Sequence, residues 1–112
     1  MVKPASRPYS RYSRDAAALL GQLIRRGRIE RKLTAEDVAQ RTGISRGLLR
    51  RIERGDPGCS IGSVFEAAAV TGVKLFDADR SAIAATMSAN AATLTLLPKS
   101  VRVSTKAVKD DF

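Results

Sequence analysis

The sequence predicts an all-α fold of five helices, and three features carry that expectation. The apolar content is aliphatic: 44% of residues are hydrophobic, yet there are only three Phe, two Tyr and no Trp. Apolar residues from Leu20 onward recur at the three-and-four spacing of one helix face. Start and stop signals then alternate along the chain at Thr34, Gly43, Ser45, Gly55-Asp56-Pro57-Gly58, Ser60, Gly72 and Pro98. A length of 112 residues leaves room for one compact domain with tails.

Residues 1–14 (MVKPASRPYSRYSR) contain two prolines and no acid and have no helical period, so a flexible basic arm is expected. A first helix over roughly 15–31 places Leu20, Leu23, Ile24 and Gly27 on one face, where Gly27 lets another helix come close. Thr34 then caps a second helix. Asp37 lies three residues on, in capping-box spacing, and Leu33 and Val38 stand in staple positions. That helix lasts only two turns before Gly43, which can take the positive φ of a sharp stop.

Ile44-Ser45 repeats the same logic. Ser45 starts a third helix, with Ser45, Leu49 and Ile52 toward the core, and the Gly55–Gly58 breakers end it. Ser60 starts a fourth, with Ile61, Val64, Phe65 and Ala68 as its apolar stripe. Val73–Phe76 reads as a short extended link. Residues 80–97, rich in Ala, Ser and Thr, read as a fifth helix, although the Thr93–Leu97 end also suits a strand. The polar, aperiodic remainder should be flexible. The expected organisation is an arm over 1–14, a helical domain over 15–79, a C-terminal dimerisation helix over 80–97 and a tail over 98–112.

Charge is divided unevenly. Residues 1–55 hold 14 Lys/Arg against five Asp/Glu, whereas residues 56–112 hold six of each. The whole net charge of +9 therefore sits in the first half. Such a block attracts a polyanion, because each neutralised phosphate releases a condensed counterion.

Two short helices joined by a glycine-containing turn make a helix-turn-helix, here Thr34–Arg54. At 100° per residue, Gly47, Arg50, Arg51 and Arg54 fall on the side of the third helix opposite its core residues, with Arg46 at the N-terminal edge of that face. This face carries no acid. Its planar guanidinium forks suit guanine O6/N7 and phosphates, and Gly47 lets the helix sit closer to a groove floor. Arg46, Gly47, Arg50 and Arg51 are thus the candidate base readers. Thr34 and Ser45, at helix N-termini, and Arg54, at the helix end, are candidate phosphate contacts. In the arm, Lys3, Arg7 and Arg11 either enter a minor groove or serve a solubilising tail. Glu53, on the helix flank, is read as a structural ion-pair partner of Arg28.

The run from Leu20 to Gly55 (LGQLIRRGRIERKLTAEDVAQRTGISRGLLRRIERG) resembles the XRE/Cro-type helix-turn-helix domain. The resemblance implies a lambda-repressor-like five-helix bundle that works as a dimer, and it supports the base-facing assignments and the Arg28–Glu53 pair. Ala35 departs from the pattern, since the family commonly carries a phosphate-binding Gln there. The opening SRPYSRYSRDAAALLGQLIR, the GDPG…GSVFEAAAVTGVKLFDAD stretch and the ending LLPKSVRVSTKAVKDDF are similar to HipB-type antitoxins. That resemblance implies autoregulation of a shared operon and a HipA-like kinase toxin as partner, with Val108, Asp110, Asp111 and Phe112 as the toxin-binding tail.

Other classes fit poorly. The chain has no His, phosphate-binding loop or nucleophile elbow, so no catalytic residue is assigned, and no metal or cofactor is expected. Cys59, the only cysteine, reads as a space-filling residue rather than a redox sensor. No run approaches the roughly 18 apolar residues of a membrane span, and no secretory signal is visible, so a bacterial cytoplasmic, nucleoid-associated protein is expected. The leading expectation is an operator-binding homodimeric repressor that is also an antitoxin. A stand-alone regulator of the same type is the alternative, and a protein-interaction module with an incidental basic face is a third.

Overall fold

The computed structural model describes residues 8–101. All of its regular structure is helical, as the sequence predicts: five α-helices, one 3₁₀ turn and no strand among the described residues. The helices are α1 (Arg11–Glu30), α2 (Ala35–Thr42), α3 (Arg46–Glu53), α4 (Ile61–Val70) and α5 (Arg80–Leu96). The chain divides into two compact units at the Asp77–Ala78 peptide.

In the first unit, α1 packs on α3 and α4, and α2 packs on α3 and α4. The core is aliphatic and thin. Ile24, Val38, Leu49, Ile52, Ala67 and Ala68 form its centre, with Leu20, Leu33, Ile44, Leu48 and Val64 around them. Small residues let backbones rather than side chains meet. A Cβ at Gly21 would collide with the Ile52 carbonyl and lie 2.9 Å from that of Glu53; one at Gly27 would collide with the Thr71 carbonyl. Gly27 thus does what its place on the helix face predicts, and Gly21 does the same against the end of α3.

Four findings correct the sequence reading. First, α1 begins at Arg11 rather than near Asp15, because Ser10 caps it by accepting the Ser13 N–H at 3.1 Å. Arg11 is therefore an exposed residue of a helical first turn, not of a flexible arm. Second, Ser45 does not face the core. It is the exposed N-cap of α3, and its hydroxyl accepts the Leu48 N–H at 3.0 Å. Third, α4 buries Ala67 and Ala68, whereas Ile61 in its first turn stands 69% exposed.

Fourth, the link after Val73 is not simply extended. Leu75–Asp77 forms a 3₁₀ turn with Phe76 and Asp77 at φ 55° and 54°. Phe76 sits edge-on to Phe65 at 6.5 Å, a ring contact that favours this left-handed bend. Thr71, fully buried, satisfies its hydroxyl on the Ala67 carbonyl at 2.7 Å, while its own carbonyl accepts from Arg31 Nη1 at 2.8 Å.

In the second unit, Asp79 caps α5 by accepting the Ala82 N–H at 2.8 Å, and the Thr93–Leu96 segment is helical. Its Met87, Leu94 and Leu96 side chains are exposed.

The glycine contacts give a direct test. Gly21→Ala is expected to lower stability by about 1–3 kcal/mol, because the clash is with backbone and outweighs the ~1 kcal/mol helix-propensity gain of Ala. Gly62→Ala, where nothing lies within 4 Å of the added Cβ, is expected to stabilise by up to ~1 kcal/mol. Equal urea midpoints for the two variants would contradict the close approach of α3 to α1.

Candidate nucleic-acid interface

The interface is built on the α2–turn–α3 unit, and its local sequence explains each part. Thr34 and Asp37 close a reciprocal capping box: Thr34 Oγ1 accepts the Asp37 N–H at 3.0 Å, and Asp37 Oδ2 accepts the Thr34 N–H at 2.8 Å. The Thr34 N–H first, and the Thr34 hydroxyl beside the carboxylate second, hold the Asp37 carboxyl below its ordinary value. Gly43 ends α2 in the left-handed region at φ 75°, returning its N–H to the Ala39 carbonyl at 2.9 Å. Two residues later Ser45 caps α3. The capping leaves the first-turn N–H groups of α2 at Ala35 and Glu36, and of α3 at Arg46 and Gly47, outside the helical ladder.

The rotation of α3 is fixed from inside. Leu49 and Ile52 are buried and Leu48 is half-buried, whereas Arg46, Gly47, Arg50, Arg51 and Arg54 are all exposed. A Cβ on Gly47 would meet only Ser45 Oγ, at 3.9 Å, so the backbone there is bare on its outer side.

Glu53 fixes the flank. It receives Arg28 as a bidentate fork, from Nε at 2.7 Å and Nη2 at 3.1 Å, with both side chains largely buried. The remaining Nη1 donates to the Leu33 carbonyl at 3.2 Å. The hydrogen bond to Glu53 raises the Arg28 pKa further above an already high value. Arg25 lies 4.0 Å from the same carboxylate on its exposed side.

The candidate base readers differ in a way their sequence positions do not reveal. Arg46 Nη1 donates to Glu36 Oε1 at 3.4 Å, between two exposed side chains. Arg51 Nε donates to Asp56 Oδ2 at 2.8 Å. Arg50 and Arg54 have no acidic partner within ion-pair distance among the described residues. Of the candidate phosphate contacts, Thr34 and Ser45 spend their oxygens as cap acceptors; the Ser45 hydroxyl proton remains able to donate, whereas the Thr34 hydroxyl also lies against the Asp37 carboxylate. Lys3, Arg7 and the tail residues Val108, Asp110, Asp111 and Phe112 lie outside the described residues.

The Arg51–Asp56 pair and the Thr71–Arg31 contact escape sequence reading. The first had a signal in the Gly55 helix stop, which fixes where residue 56 returns. Cys59 is half-buried and free, and burial pushes its thiol pKa up, against thiolate reactivity. No group of metal-ligating side chains occurs among the described residues, and no described helix is long and apolar enough to cross a membrane.

Comparison with known proteins adds one positive finding. The family described as "Helix-turn-helix domain" matches residues 19–83, which is 65 of the 112. No curated protein and no solved structure gives a significant match.

The ion pair supplies the prediction for this site. Glu53→Gln is expected to lower stability by roughly 2–3 kcal/mol, below the full cost for a deeply buried pair because both groups keep some water contact. An unchanged urea midpoint would show that α3 is seated by its apolar residues alone.

Proposed function

Since the chain belongs to the helix-turn-helix domain family, here of the XRE/Cro type and a DNA-binding regulatory fold, we propose that it is a sequence-specific transcriptional regulator. It acts as a homodimer on double-stranded operator DNA, with α3 as its recognition helix. The observation that carries this reading is the rotation of α3, which buries Leu49 and Ile52 and turns four arginines and a glycine to solvent.

Arg46, Arg50 and Arg51 read base edges in the major groove, and bare Gly47 allows close approach. Arg54, together with the first-turn N–H groups and hydroxyls at Thr34 and Ser45, holds the phosphate backbone. Arg11 belongs to the start of α1 and adds to the basic field rather than to a threading arm. Exposed apolar side chains on α4 (Ile61) and on α5 (Met87, Leu94, Leu96) support self-association. A dimer would set two α3 helices about 34 Å apart, one duplex turn.

A regulator acting without a dedicated protein partner is the form best supported. A second reading, an autoregulating HipB-type antitoxin that also binds a HipA-like kinase toxin, is favoured by the sequence resemblance on either side of the motif. The tail would be its toxin contact.

Two outcomes test these readings. In a binding assay on a duplex selected by the wild-type chain from a random pool, Arg51→Ala should lose roughly 5- to 150-fold and relax preference at one base position. Arg54→Ala should weaken all duplexes alike and reduce the salt slope by about 1. Selected-site affinity unchanged in both variants would contradict the assigned face. Deleting residues 106–112 should spare DNA binding yet abolish co-purification with the product of an adjacent kinase-like gene; retained co-purification removes the tail from the antitoxin reading.

A further inference from the structure

The close of α3 does more than end a helix. Its last turn is a Schellman motif: the Gly55 N–H reaches the Ile52 carbonyl at 2.9 Å, and the Asp56 N–H reaches back to the Arg51 carbonyl at 3.0 Å. Gly55 supplies the left-handed residue this closure needs, at φ 81°. The motif returns residue 56 directly over residue 51.

The side chains then meet as well. Asp56 Oδ2 accepts Arg51 Nε at 2.8 Å, and its Oδ1 accepts the Gly58 N–H at 2.8 Å, so both carboxylate oxygens are oriented. Those bonds, the Gly58 N–H first and Arg51 second, lower the Asp56 pKa below its ordinary value. Arg51 is consequently held at its Nε while it remains 47% exposed. The Nη1/Nη2 edge, the end-on fork, is left for another acceptor pair.

Resting on the DNA-reading role of α3 proposed above, we infer that Asp56 is a positioning residue for Arg51, presenting its terminal fork end-on to a guanine edge. Its chemical logic is preorganisation. A free arginine loses rotamer freedom when it docks on a base, whereas one already tied by a fixed carboxylate loses less. The carboxylate also opposes phosphate binding by the same side chain, which turns Arg51 from a general anion contact into a selective one.

The competing account makes Asp56 a turn residue whose charge merely repels DNA. Asp56→Asn separates the two. Its amide oxygen can still accept the Gly58 N–H, but the NH₂ then faces Arg51 Nε and cannot accept from it. The probe is the duplex selected by wild type from a randomised pool, compared with a scrambled duplex of equal length, with thermal melting to verify folding.

Positioning predicts that Asp56→Asn loses about threefold to tenfold in affinity for the selected duplex. Binding to the scrambled duplex should be unchanged or tighter, and preference should flatten at one base position. It also predicts that Asp56→Asn has no further effect on selectivity when Arg51 is already Ala. Equal tightening on both duplexes, or an undiminished effect in the Arg51→Ala background, would overturn the inference while leaving DNA reading by α3 intact. Failure of the wild type to select any sequence would overturn both.

Discussion

Arg28 is the tie on which the arrangement of the helix-turn-helix rests. One planar group joins three segments: its Nε and Nη2 hold Glu53 at the end of α3, and its Nη1 holds the Leu33 carbonyl at the entry to α2. An eight-residue helix such as α3 is too short to be stable alone, so its orientation comes from tertiary contacts. Leu49 and Ile52 set one side, and Glu53, directly beside Ile52, sets the angle about the axis. With that angle fixed, Arg46, Arg50, Arg51 and Arg54 are carried on the exposed side of the helix, away from the core. Shielding Arg28 and Glu53 from water makes the tie consequential, because neither charge can be left alone there at little cost.

The thin core explains why such a tie is needed. Among the described residues the large side chains buried almost completely are Ile24, Val38, Leu49 and Ile52, joined by the polar Thr71. Much of the packing is instead backbone against backbone, at Gly21 beneath the end of α3 and at Gly27 beneath Thr71. Such contacts are close and unforgiving, but they bury little apolar area per residue. Fixed hydrogen bonds, Arg31 to the Thr71 carbonyl and Arg28 to Glu53, therefore share the work of holding helices together.

Features with a local cause were legible in the sequence. The capping box at Thr34, the stop at Gly43 and the cap at Ser45 each depend on residues within one turn, and α3's exposed face follows from its period alone. The start of α1 was less legible, since Ser10 and Ser13 lie in a basic stretch with two tyrosines and no apolar period, although the cap itself is local. Gly21 shows a different limit: periodicity assigns side chains to faces but says nothing of how near two backbones come. Phe76 shows a third, because its left-handed φ accompanies a ring contact with Phe65 eleven positions away.

The cations of α3 fall into two kinds by what surrounds them. Arg46 and Arg51 each meet a carboxylate of the same small motif, Glu36 and Asp56, whereas Arg50 and Arg54 meet none within ion-pair distance among the described residues. Exposed pairs of this kind contribute little to stability, so a ligand can displace or share them at small cost, unlike the Arg28–Glu53 pair. Their effect is on geometry. The Asp56 carboxylate, oriented at both oxygens, narrows the directions open to Arg51, whereas Arg54 acts on the same carboxylate only through space. A short helix can thus combine direction at some positions with general attraction at others, and at Arg51 the direction is supplied by the turn that ends the helix.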